Sequence, residues 1–320
     1  MSVEMTNPQN PPSPETVAAR KWCEENGSRF EGQLTFGENL AKHTYYRIGG
    51  PARIFCIPKS VADLDWIREC VSHSKVDAFI LGLGSNILVA DGGYDGLVIK
   101  TSRIDISITL QGDRLRVGSG VAVSSLLRRA AQEGWSGFEM LTGVPGSIGG
   151  VITMNAGTHL GEARDRIRKV ETFNLSTGVL RVIEGADLQF EYRKNHFLTR
   201  DEVITHTEWE VTLSEPAQVK AVIDETLARR KASQPTEYPS CGSVFKNPRD
   251  HGIHAWQVIE KLQLRGHRIG NAQISEKHPN FIVNLGGALA SDVRALIDLV
   301  KSRAKAELGI EMHEEVKFLG

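Results

Sequence analysis

LGLGSNILVADGGYDG, residues 81–96, carries the reading of the fold. It places Gly82, Gly84, Gly92 and Gly93 around Ser85 and Asn86. The run AFIL at 78–81 leads into it as a buried strand ending in a tight loop. Glycines let a backbone adopt positive φ and approach a ligand closely. Consecutive N–H groups in such a turn form an anion-binding concavity that suits a pyrophosphate. A second stretch, LTGVPGSIGGVITMNAG (141–157), repeats this chemistry with Gly143, Gly146, Gly149 and Gly150 beside Ser147 and Asn155. Either loop alone reads equally as a hairpin turn without a ligand. Two such loops favour a nucleotide cofactor. Neither is a GxGxxG at a helix start or a GxxxxGK[ST], so Rossmann and P-loop readings fail.

Around these loops the chain is ordinary in bulk. Its 320 residues suit two or three domains. With 38 basic and 39 acidic residues the formal net charge is -1, which offers no nucleic-acid or membrane surface. Any anionic ligand must therefore be held by a local group of donors. Cys23, Cys56, Cys70 and Cys241 are scattered, with no CxxC pair, which points to a reducing compartment. The histidines show no HExxH or comparable spacing, so no metal site is expected. Residues 1–15, MSVEMTNPQNPPSPE, lack the pattern of a secretory signal and read as a disordered tail. No apolar run approaches the ~20 residues of a membrane span. The expected location is the cytoplasm.

Periodicity supplies the other elements. Ser60 and Asp63 resemble a capping box, followed by Val61, Leu64, Ile67 and Val71 at helical spacing. LVIK (97–100) and RLRV (114–117) read as strands. A helix is expected over Val123–Glu133, stopped by Gly134. Val203, Thr205, Thr207, Trp209, Val211 and Leu213 alternate with mostly polar neighbours as a half-buried strand. Pro216 suits the first turn of a charged helix that runs to about Lys231. A last helix is read with Ser291 as its cap, and IEMHEEVKFLG (310–320) alternates as a closing strand. The class is α+β.

TYYRIGGPA (44–52), the two glycine loops, EYRKNHF (191–197), CGSVFKNP (241–248), IGNAQISEKHPNFIVN (269–284) and EEVKFLG resemble, in order and spacing, the UDP-N-acetylenolpyruvoylglucosamine reductase family. The resemblance covers nearly everything after the tail and indicates the family's shorter subtype. It implies a two-subdomain FAD-binding fold of the vanillyl-alcohol-oxidase type plus a smaller α+β substrate-binding domain. The expected divisions are a first FAD-binding subdomain at 16–100, a second at 101–214, a substrate-binding domain at 215–309 and a C-terminal strand at 310–320 that returns to the active site. The implied chemistry is NADPH-dependent reduction of UDP-N-acetylglucosamine enolpyruvate, through noncovalent FAD, in peptidoglycan precursor synthesis. A monomer is expected.

The resemblance also implies roles for individual residues. Ser243 would donate the proton, and Arg193 would bind the substrate carboxylate through its guanidinium fork. The family's third active-site residue is a glutamate before valine. Spacing leaves Glu314 and Glu315 open, and strand alternation, which sets Glu315 on the face of His313 and Lys317, favours Glu315. Lys317 stands where the family commonly has arginine. Cofactor contacts are expected from Tyr46, Arg47, Gly82, Gly84, Ser85, Asn86, Gly143, Pro145, Gly146, Ser147, Gly149, Gly150, Asn155 and Gly157. Substrate contacts are expected from Tyr192, Arg230, Lys246, Asn247 and Gln273. Two other classes compete: a flavin oxidase of the same cofactor fold, and a catalytically silent binder. His43 and His159 flank the matching segments, so covalent flavin attachment is a point to test.

Overall fold

The apolar runs around the first glycine loop build one sheet. In the computed structural model, which describes residues 11–320, the strands Gln33–Asn39, Pro51–Ile57, Tyr94–Lys100 and Ala78–Leu81 lie side by side in that order. The first pair is antiparallel and the other two are parallel. Ile54–Ile57 and Leu97–Ile99 are buried without alternation, as strands covered on both faces require. Helix α1 (Pro14–Asn26) and helix α2 (Val61–Ser74) share a core with this sheet, with Trp66 between Trp22 and Phe30. The first ten residues of the expected tail lie outside the described residues, and its end is already helical. Ser13 accepts from the Thr16 N–H and Pro14 opens α1, which together start a helix there. Ser60 caps α2 as expected, but only half of the box forms. The Asp63 carboxylate turns instead to the N–H groups of Glu31 and Lys59.

A second sheet holds five antiparallel strands in the order Leu180–Glu184, Ile167–Asn174, Glu202–Glu210, Arg114–Gly118 and Ile108–Gln111. Helix α3 (Val123–Glu133) ends at Gly134 with φ 71°, the left-handed stop expected from sequence. The core beneath it centres on Trp209, which is fully buried with its ring edge-on to Phe138. Leu213 departs from the expected alternation and is exposed. The long strand stops at Glu210, and Thr212–Leu213 forms a separate short pairing with Trp135–Ser136.

Helix α4 (Pro216–Ser233) buries Val219 and Ile223 in the second core and leads into the third unit. The third unit is a small sheet of Arg268–Ile269, Ala272–Ile274 and Ile282–Asn284, backed by Ala255–Lys261 and the long helix Ala290–Leu308. Its core includes Tyr46, Ile48 and Leu88 from the first unit, so the two are packed as one body. The closing strand is shorter than expected. Only Lys317–Leu319 is regular, pairing in parallel with Ile87–Val89. The preceding residues bond instead to the 244–246 segment, so no single ladder extends over 310–320. The long helix also begins one residue before Ser291. Its first N–H groups, those of Ala290 and Ser291, are taken by the Asp91 carboxylate at 2.6 and 3.0 Å. Asp91 belongs to the first glycine loop, so a helix start in the third unit is satisfied from the first.

Removing that carboxylate orphans two helix N–H groups and a favourable charge at the helix N-terminus. Asp91→Ala is expected to cost about 1–2 kcal/mol and to lower Tm by about 2–6 °C, with Asp91→Asn retaining part of the difference. A thermal unfolding curve for Asp91→Ala that overlays the parent would contradict this bridge.

Candidate active site

The two glycine loops face one another. Ser85 Oγ donates to the Pro145 carbonyl at 2.9 Å. A Cβ added at Gly82 would come within 2.9 Å of Ser147 Oγ, and one at Gly146 within 2.9 Å of Ser85 Oγ. Between the loops runs a cleft of about 560 Å³, lined by Gly82, Gly84, Ser85, Asn86, Pro145, Gly146, Ser147, Gly149, Gly150 and Gly157. The N–H groups of Leu83, Gly84, Ser85 and Asn86 meet no acceptor among the described residues. The second loop differs: Ile148 and Gly149 donate to Val121 and Ser119, so those N–H groups are already engaged. Ser147 Oγ is buried and has no partner among the described residues. A buried hydroxyl left alone costs about 1–3 kcal/mol, which a ligand oxygen would recover.

Some of the expected cofactor residues shape the cleft from behind. Gly84, at φ 71°, leaves no room for a side chain because a Cβ would lie 2.1 Å from the His43 carbonyl. Gly143 makes space for the Arg230 side chain, whose Cδ and Nε would sit 2.5 Å from an added Cβ. Asn155 is fully buried and spent on Glu162, Glu191 and Arg164. Asn86 donates to the Glu315 carbonyl at 3.1 Å and so joins the first loop to the chain's last segment. Tyr46 is buried with its hydroxyl beside the Cys241 thiol, while Arg47 is exposed at φ 55°. Neither lines the cleft.

At one end of the cleft Arg193, Arg230, Ser243 and Glu315 come together. Ser243 starts a short extended segment held against residues 313–316. Glu315 N donates to the Val244 carbonyl at 2.7 Å, and Lys246 N to the His313 carbonyl at 2.9 Å. Ser243 Oγ has no hydrogen-bond partner among the described residues. Arg193 is the second residue of a two-residue turn between Phe190–Glu191 and Lys194–Asn195, at φ 57°. A left-handed arginine costs about 1 kcal/mol or more, and here it aims the guanidinium into the cleft. Its Nε lies 2.7 Å from Glu315 Oε1, but the N–H is not directed along that line and keeps donor capacity for a ligand. Burial pushes the Glu315 carboxyl above its ordinary pKa, opposed by the charges of Arg193 and Lys246. Burial, then repulsion from Arg193, lowers Arg230, yet a guanidinium stays protonated at neutral pH. Glu314 points elsewhere, to Lys301 at 2.6 Å, which separates the two neighbouring glutamates.

The remaining expected substrate residues, Tyr192, Lys246, Asn247 and Gln273, do not line the cleft. The Tyr192 ring has the Arg249 guanidinium 3.8 Å from its centroid, and burial raises its phenol pKa. Lys246 contributes charge near Glu315. Asn247 Oδ1 accepts from the Ala255 N–H and Gln273 donates to the Gly266 carbonyl. Both are committed to holding turns. Sequence reading missed Thr226 and Arg229, which line the cleft, and the buried Glu202, whose carboxylate is paired with Arg181; His159, named there only for flavin attachment, lines the cleft too. Helical spacing from Arg230 marks Thr226, four residues earlier; nothing local marks Glu202.

Residues 234–319 match the family described as UDP-N-acetylenolpyruvoylglucosamine reductase, C-terminal domain, and residues 52–183 match the FAD binding domain family. FAD suits the site described above. Its diphosphate needs donors at close approach, which the free N–H groups of 83–86, the orphaned Ser147 hydroxyl and the Cβ-free walls of Gly82 and Gly146 provide. A UDP-N-acetylenolpyruvoylglucosamine reductase of Heliobacterium modesticaldum is 40% identical over 292 residues, 91% of this chain and 92% of that one. One of Carboxydothermus hydrogenoformans is 37% identical, covering 94% of this chain and 98% of the other. The crystal structure of the reductase (MurB) from Thermus caldophilus matches with a TM-score of 0.76 at 32% identity, over 91% of this chain and 99% of that one. The chain belongs to the UDP-N-acetylenolpyruvoylglucosamine reductase family.

Proposed function

We propose that this FAD-dependent reductase converts UDP-N-acetylglucosamine enolpyruvate to UDP-N-acetylmuramate with NADPH as reductant, with Ser243 as proton donor and Arg193 and Glu315 beside it. The observation that carries the reading is the meeting of these three groups, with Arg230, at one end of a glycine-walled cleft. The division of labour follows the chain: 16–100 and 101–214 cradle the cofactor, 215–309 covers the substrate and 310–320 completes the site. When bound, FAD supplies the hydride that adds to the vinyl carbon of the enolpyruvyl group. Negative charge then grows on the neighbouring carbon and its carboxylate. Arg193 faces that carboxylate with a planar fork, and Glu315 holds the guanidinium in place. Ser243 Oγ–H, not engaged by the protein, protonates the carbon. A serine is a weak acid at neutral pH, but a carbanion is a far stronger base, so transfer runs downhill. Tyr192 and Lys246, beside Arg193 and Glu315, flank the substrate, with Arg230 near its diphosphate or carboxylate. Protonation completes the reduction: one hydride and one proton have added across the double bond.

Three measurements follow. Acid precipitation of the purified holoprotein is expected to release all its FAD, although His159 lines the cleft; a yellow pellet would show covalent attachment. Ser147→Ala should weaken FAD binding by about ten-fold, the ~1 kcal/mol or more of a hydroxyl hydrogen bond, with little change in Tm of the apoprotein. Ser243→Ala should leave flavin bleaching by NADPH near normal and slow reoxidation by the enolpyruvyl substrate by ~10²-fold or more, with Ser243→Cys recovering part. Equal slowing of both half-reactions in stopped-flow would remove Ser243 from the donor role.

A further inference from the structure

The extended segment that begins at Ser243 has a neighbour on only one side. Residues 313–316 pair with one edge, through the bonds into the Val244 carbonyl and from Lys246 N. On the other edge no strand of the described residues runs alongside. A single residue takes its place. Asn280 Oδ1 accepts the Phe245 N–H at 3.0 Å, its Nδ2 donates to the Phe245 carbonyl at 2.9 Å, and its own carbonyl accepts the Val244 N–H at 2.8 Å. A primary amide carries one acceptor and one donor face, the same pair that a neighbouring strand residue presents. Asn280 is 5% exposed and Phe245 1%, so neither Phe245 backbone group can turn to water if the amide is lost.

The amide is itself held rigidly. Ser275 Oγ accepts from the N–H groups of Lys277 and His278, Phe281 N donates to the His278 carbonyl, and Ser275 N donates to the Phe281 carbonyl. This closed turn, 275–281, fixes the direction in which Asn280 projects. The next residue, Phe281, lines the cleft with Ser243. Asn284, four residues after Asn280 and the end of the strand Ile282–Asn284, donates to the Tyr46 carbonyl at 2.9 Å and so anchors that strand to the first unit.

We propose that Asn280 is a positioning residue of the active site, its amide standing in for a missing strand and holding Ser243 in register with Glu315. It touches neither cleft nor ligand and acts through the backbone of Val244 and Phe245. The proposal rests on the reading of Ser243 as proton donor, and the two can be separated by experiment.

The holoenzyme of Asn280→Ala is compared with the parent by two readouts. Amide hydrogen exchange at Val244 and Phe245 should rise at least ten-fold while exchange in the 81–96 loop stays unchanged. Flavin bleaching by NADPH should stay within two-fold, and reoxidation by the enolpyruvyl substrate should slow at least ten-fold. In a Ser243→Ala background the same change should slow reoxidation by less than two-fold, because the group being positioned is gone. Asn280→Asp keeps the acceptor for Phe245 N–H and loses the donor at neutral pH. Its reoxidation rate, relative to the parent at each pH, should recover as pH falls, when the new carboxyl gains a proton to donate to the Phe245 carbonyl. This variant also serves if Asn280→Ala fails to retain flavin. Unchanged exchange at Val244 and Phe245, equal slowing of both half-reactions, or a full ten-fold loss persisting without the Ser243 hydroxyl each overturn the proposal. If Ser243→Ala alone leaves reoxidation unaffected, the donor reading falls; raised local exchange with slowed reoxidation in Asn280→Ala would still assign Asn280 to positioning this segment.

Discussion

The structure depends on a pairing made across most of the chain's length, that of Lys317–Leu319 with Ile87–Val89. It continues at both ends. Lys317 N donates to the Asn86 carbonyl, Ala90 N donates to the Leu319 carbonyl, and the Asn86 side chain reaches the Glu315 carbonyl. Asn86 is therefore the joining point between the first glycine loop and the segment that brings Glu315 to Arg193. The bond from Glu315 N to the Val244 carbonyl then passes this alignment to Ser243. The first unit, the third unit and the C-terminal segment meet through main-chain hydrogen bonds, and the second unit joins them through the Arg193–Glu315 ion pair.

Within that frame the site solves an electrostatic problem. The chain as a whole is nearly neutral, with a formal net charge of -1, yet the ligands expected are anionic. Arg193, Arg230 and Lys246 concentrate positive charge at one end of the cleft, and Glu315 keeps them from repelling one another freely. Burial works against the charged forms of Arg230 and Glu315, so the contacts within the group are what make the arrangement tolerable before a ligand arrives.

Much of this was legible in the residues, and the reason is locality. The glycine loops, the helix stop at Gly134 and the separation of Glu315 from Glu314 follow from chemistry within a few residues. What escaped sequence reading is non-local. The cap on the Ala290–Leu308 helix comes from Asp91, 199 residues earlier, so the nearest plausible cap, Ser291, was misleading. Helix α1 carries few apolar residues in a strict stripe, and its start depends on Ser13 and Pro14 rather than on periodicity. Asn280 lies inside the 269–284 motif, but nothing local distinguishes it there, and its part in the fold appears only when Phe245 is seen beside it. Asn247 and Gln273 show the converse: the motif draws attention to them, while their side chains are occupied with local turns.

The contact between Asn86 and Glu315 spans 229 residues of intervening chain. A loop of that length is costly to close and is closed late in folding, because contacts of high sequence separation wait for the local ones. Assembly of the catalytic end is then a report on the whole molecule. Partly folded chains can own a finished sheet or helix pair and still lack any aligned Ser243, Arg193 and Glu315. Freeing the last strand parts Glu315 from Asn86 and from Val244 at once, whatever helices and sheets remain.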